Sequence, residues 1–165
     1  MIKRRGQQGV AAVELAFIMV PLLILCFGIT EVGRALYYYN GLVKATRGAV
    51  RYLAVQSLAS PPQGETADSI RLKARSLAVC GAQACSPTAQ PLVPGLVLAQ
   101  VSVCDPVGCP ATHANVQTGQ GSVGLVSVSI GGANAAAYSF SSLVPWVIPD
   151  FTFSPVSATM AAQFF

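Results

Sequence analysis

Charge is nearly absent from the second half of this 165-residue chain. Residues 76–165 contain no lysine or arginine and only two acids, Asp105 and Asp150. Histidine and tryptophan occur once each, as His113 and Trp146. A lone histidine among many serines, with Asp105 its nearest acid in sequence, is more often structural or solvated than a general base. A phosphate-binding Walker loop, a dinucleotide fingerprint and an HExxH helix are all missing. The sequence therefore gives no catalytic residue and no cofactor, and the chain is read as not an enzyme. Disorder is excluded as well, since 53% of residues are hydrophobic and 10% charged.

The charge that exists is concentrated at the front. Residues 1–75 hold all ten Lys/Arg and four acids, giving +6, while the remainder carries −2. The overall +4 thus belongs to one segment and does not argue for a nucleic-acid partner. A 90-residue region with two charged groups would dissolve poorly by itself. It reads either as a surface that packs on partners or lies near a membrane, or as an ordinary secreted β-rich domain.

Lys3, Arg4 and Arg5 precede an almost unbroken apolar run that ends near Ile29. Residues 10–30, at roughly 1.5 Å per helical residue, span roughly 30 Å, the thickness of a bilayer core. The basic cluster places the N-terminus in the cytoplasm by the positive-inside rule. A secretory signal peptide would need a small-residue cleavage site after the apolar core, where Ile29-Thr30-Glu31-Val32-Gly33-Arg34 stands instead. An uncleaved anchor explains everything except Gly9 and Glu14, the one carboxylate inside the run. Charge at membrane depth costs several kcal/mol and marks a functional position by default. Pro21 is expected to kink the helix or open its hydrogen bonding locally.

The segment Gly6-Gln7-Gln8-Gly9-Val10-Ala11-Ala12-Val13-Glu14-Leu15 resembles a type IV prepilin signal. With Gly33-Arg34-Ala35-Leu36-Tyr37 and Ala45-Thr46-Arg47-Gly48-Ala49-Val50-Arg51-Tyr52, it resembles the TadE-like family, the minor pseudopilins of the tight-adherence (Tad) pilus machinery. The likeness covers about residues 6–55. It implies cleavage by a prepilin peptidase between Gly9 and Val10, making Glu14 the fifth residue of the mature chain. It also implies a role in pilus assembly, initiation and adhesion. The implied partners are other pilins and pseudopilins, Tad assembly-platform proteins, the peptidase and membrane lipid. The implied location is the inner (cytoplasmic) membrane, single-pass, with a periplasmic C-terminal domain. Leu15 stands where major Flp pilins carry Tyr, and the ectodomain is large; both favour a minor pseudopilin. The TadE-like and sister TadF-like proteins are not separated by these residues.

In such a protein Glu14 would pair with the new amine of Val10 on a neighbouring subunit. At ~4 Å and an effective dielectric of ~20 this is worth on the order of 4 kcal/mol. Within one helix, Glu14 would face its own N-terminus. The competing reading is an uncleaved single-span membrane protein with a sensory or ligand-binding ectodomain.

Beyond the span, residues 31–58 keep a helical period. Val32, Leu36, Tyr39, Val43, Thr46, Val50 and Leu53 form one seam, and Gly41, Ala45 and Gly48 a small-residue stripe. Lys44, Arg47 and Arg51 form a third stripe, a solvated face or a contact for headgroups or an acidic partner. Tyr37, Tyr38 and Tyr39 suit either the lipid interface or core packing. Ser60-Pro61-Pro62-Gln63-Gly64 breaks the helix, and a second is expected over residues 66–80 with Gly81 as its stop. Alternating residues then predict strands over 96–104, 123–130 and 156–165. Between the last two lies a long loop with Tyr138, Phe140, Trp146 and Phe151, which form a partner surface or a roof over the sheet.

Cys26 lies in the apolar run. The other cysteines, Cys80, Cys85, Cys104 and Cys109, form two x4-spaced pairs. Outside a membrane anchor they suggest disulfides. Three pairings are open, 80–85 with 104–109, 80–104 with 85–109, and 80–109 with 85–104; zinc is the rival use of four thiolates, and no metal is expected. The expected organisation is leader 1–9, transmembrane segment 10–30, helical continuation 31–58 and ectodomain 59–165. The fold class is α+β: a long transmembrane and amphipathic helix, a second helix and a small antiparallel sheet, pilin-like.

Overall fold

The computed structural model of the protein describes residues 8–119, 121–132 and 135–163. Lys3, Arg4, Arg5, Gly6 and Gln7 lie outside them, as does Phe164, expected on a strand face. The chain forms an α+β fold. α1 (Gln8–Ala54) is 47 residues long and passes through Pro21 unbroken. At 1.5 Å per residue it reaches roughly 70 Å. It ends four residues before the expected Leu58, in a turn closed by the Gln56 N–H donating to the Leu53 carbonyl.

α2 (Ala67–Cys80) is bounded by local chemistry. Thr66 caps its start, with Thr66 and Ser69 exchanging side-chain bonds to each other's backbone N–H. Gly81, at φ 73°, supplies the left-handed stop.

β1 (Val101–Cys104), a one-turn α3 (Pro110–His113) and a hairpin of β2 (Val116–Thr118) and β3 (Gly121–Val123) follow. Then come β4 (Leu125–Ile130), β5 (Ser139–Phe140), β6 (Phe151–Thr152) and β7 (Val156–Ala161). β1, β4 and β7 make one antiparallel sheet with β4 central, Val128 lying opposite Val103 and Ala158. β5 and β6 pair separately, inside the segment expected to be a loop.

The expected first strand is half wrong. Leu98–Gln100 is a 3-10 turn, and Val97 is exposed. The turn is held by the Gln100 side chain, which accepts from the Val97 N–H and donates to the Ala137 carbonyl. The middle strand alternates as expected: Val126, Val128 and Ile130 are buried. Its other face is polar, with Ser129 bonded to Ser102 at 2.7 Å.

The core lies between that sheet face, α2 and the second half of α1, where Leu42, Leu53, Ile70 and Leu96 are fully covered. The buried seam of α1 is rotated from the expected one. Thr46, Val50 and Leu53 are on it, but Val32, Leu36 and Tyr39 are exposed. The buried line instead runs through Glu31, Leu42, Ala45 and Ala49. A charged residue sits on the packed face, which is why apolar periodicity alone missed its start. The small-residue stripe is also divided. A Cβ on Gly41 would lie 2.8 Å from the Val93 side chain, so the 92–93 loop approaches there, whereas Gly48 meets nothing.

Candidate functional site

Two surroundings meet along α1. Side chains described through residue 26 are all exposed, and only a few contacts touch the run up to Thr30. Among the described residues this is the one helix long and apolar enough to cross a membrane. Gly9 and Val10 fall in its first turn, and Glu14 one turn later, all exposed. No ion pair to Glu14 forms among the described residues. Cys26 is a free, exposed thiol in the same stretch.

At Glu31 the protein closes around the helix. Glu31 is only 3% exposed. One carboxylate oxygen accepts from Arg34 at 2.7 Å and the other from the Leu143 N–H at 2.9 Å. Burial alone would raise its pKa, but the bonds from Arg34 and from the Leu143 and Val144 amides outweigh it and hold the carboxyl below its ordinary 4.5. Arg34 also donates to the Ser141 carbonyl at 2.6 Å and lies 4.6 Å from the Phe140 ring centroid. This joint ties residues 141–150 to α1, and sequence reasoning did not find it. The available signal was a Glu and an Arg three residues apart at the end of an apolar run.

The aromatic segment, expected to form a partner surface or a roof over the sheet, instead covers α1 with its buried rings. Phe140 is fully buried and packs on Tyr38, while Phe153 meets Tyr39 and stacks on Tyr138. These rings roof α1. Trp146 stays exposed, edge-on to Phe27 with centroids 6.5 Å apart. Of the three tyrosines on α1, Tyr38 packs inward and Tyr37 points out.

The cysteines are joined locally, Cys80 to Cys85 and Cys104 to Cys109. The Cys104–Cys109 loop is built on Asp105, which is fully buried. Arg71 grips its carboxylate with two nitrogens at 2.7 and 3.0 Å, and the Val107 and Gly108 amides donate at 2.9 and 2.8 Å. Burial pushes the Asp105 carboxyl up, but these bonds prevail and hold it below 3.8. Asp105 therefore does not serve His113. The ring nitrogens of His113 meet Thr112 and Ser127, each at 2.7 Å. Cys104, Cys109 and His113 lie close enough to share a cation, yet the two sulfurs are bonded to each other and offer no thiolate.

Lys44, Arg47 and Arg51 are exposed on α1. Beside Lys44, an open apolar groove of about 480 Å³ runs between α1 and α2, lined by Tyr37, Gly41, Ala45, Leu77 and Leu92.

The architecture is thus that of an α+β domain carried on an N-terminal helix fit for membrane anchoring. The family model of TadE-like proteins matches residues 9–51, covering the apolar half of α1 and most of its packed half. This is the family that the Gly9 to Phe17 and Ala45 to Tyr52 motifs resemble. No curated protein and no solved structure matches the chain.

Proposed function

We propose that the chain is a minor pseudopilin of a Tad-type pilus, cleaved between Gly9 and Val10 and acting in pilus assembly, initiation and adhesion. The observation that carries this reading is the coincidence of the TadE-like match with an exposed apolar stretch of α1, residues 10–30, whose single carboxylate, Glu14, has no described partner. An unpaired carboxylate in an apolar setting is penalised. The freed amine of Val10 on a neighbouring subunit would relieve that penalty and fix axial register. On this reading the protein sits in the inner membrane with its N-terminus cytoplasmic and its α+β domain periplasmic. Its partners are other pilins and pseudopilins, the assembly platform, the peptidase and lipid. Its role is assembly, not catalysis.

The groove between α1 and α2 favours a second reading, an uncleaved anchor whose ectodomain binds an apolar ligand. Mass spectrometry of the membrane-extracted N-terminus, from cells with and without prepilin peptidase, separates the two. A start at Val10 only with the peptidase supports the pseudopilin. A start at Met1 or Ile2 in both overturns it.

A further inference from the structure

We propose that residues 141–150 form a membrane-seating collar, with Leu143, Pro145 and Trp146 entering the interfacial layer of the bilayer that α1 crosses. This rests on α1 being a membrane anchor and adds a second lipid contact supplied by the folded domain.

Position is the first support. Trp146 packs on Phe27, and Val147 lies 3.7 Å from where a Cβ on Gly28 would stand. Both helix residues precede Glu31, the first charge after the apolar run, so the loop tip reaches back over the lipid-facing surface. Phe27 itself is exposed. Whatever covers that face of α1 also covers the indole beside it, and for an apolar span that medium is lipid.

The loop's chemistry fits the same medium. Leu143-Val144-Pro145-Trp146-Val147-Ile148-Pro149 has no charged side chain, and Leu143 and Trp146 are 75% and 69% exposed. Tryptophan concentrates at membrane interfaces, where its ring is buried and its N–H stays wet.

Backbone satisfaction is the third support, because lipid penalises an unbonded N–H. Pro145 and Pro149 have none. The Ser142 N–H donates to Asp150, Leu143 to Glu31, Val144 to the Ser142 hydroxyl, and Val147 and Ile148 to the Val144 carbonyl. Of residues 142–148 only the Trp146 backbone N–H is left without a described partner, at the wet level of an interfacial layer, and the tip is tied to α1 through the Glu31–Arg34 pair.

Trp146 is the only tryptophan, so the unmodified full chain reports on its own loop. The experiment reconstitutes it in phosphatidylcholine–phosphatidylglycerol vesicles, floats them on a density gradient and reads emission. Lipids brominated near the headgroup end of the acyl chain are compared with lipids brominated near the bilayer centre. A shallow collar gives blue-shifted emission, quenched about twofold by the shallow bromines and less by the deep ones. Floating protein with water-like, unquenched emission overturns the collar while leaving the anchor intact. Floating protein with blue-shifted but unquenched emission also overturns it, placing Trp146 against a protein such as a second copy. Protein that does not float overturns the anchor and the collar together.

Discussion

The two halves of α1 are one continuous helix in two surroundings, the first bare of protein and the second packed. Before residue 27 every described side chain is exposed, and from Val10 on the sequence is apolar all round but for Glu14. After Glu31 one face is buried by the sheet and α2, and Lys44, Arg47 and Arg51 occupy exposed positions. The comparison shows that amphipathicity is a response to water. A helix that lipid is to surround needs no polar face, while one half-covered by protein needs both.

Leucine truncation is the strongest way to break this comparison. Leu53→Ala leaves a cavity at a fully buried site and should cost about 4 kcal/mol in chemical denaturation of the detergent-solubilised chain. Leu23→Ala, on the exposed apolar half, should change the same measurement by less than about 0.5 kcal/mol. Equal losses would mean that the first half is packed against protein after all.

Charge gives the next largest contrast. Asp105→Asn leaves Arg71 paired only with the exposed Asp68 and removes the buried charge that the Val107 and Gly108 amides hold, and should cost about 3 kcal/mol. The folded-state pKa of Asp105 lies below its ordinary 3.8. Its contribution is therefore present above that value and is lost as pH falls through the depressed folded value. The native chain should lose stability on acidification below about pH 4, and Asp105→Asn should show a smaller acid loss. Matching acid profiles would remove Asp105 from the account.

Covalent closure should matter less. The Cys104–Cys109 bridge spans a sequence separation of 5, so replacing both with serine should cost about 2 kcal/mol, read as a shift of the denaturation midpoint. A negligible shift would leave Asp105 as the sole organiser of that loop.

Glu14→Gln is the smallest expected effect on folding, within about 0.5 kcal/mol, because no described residue pairs with it. On the pseudopilin reading the same substitution strongly reduces pilus assembly in cells. Normal piliation with Glu14→Gln would sink the pairing role.

Much of this was legible in order along the chain. The apolar span, the Thr66-to-Gly81 helix and the inward face of β4 follow from local periodicity and capping, which depend on neighbouring residues. The rotated seam of α1 was not legible, because Glu31 is buried only through partners at Arg34, Leu143 and Val144. The strand that failed over residues 97–100 failed for a similar reason: Gln100 bonds to Ala137, 37 positions away.

The sequence by itself determined a lipid-compatible helix, two pairs of cysteines and an α+β alternation, since each is written in residue type and spacing. Tertiary structure alone decided which cysteines join, that Asp105 serves Arg71 and not His113, and that an uncharged loop folds back beside Phe27. Those outcomes depend on which distant groups can desolvate together with their hydrogen bonds satisfied, and no local pattern carries that information.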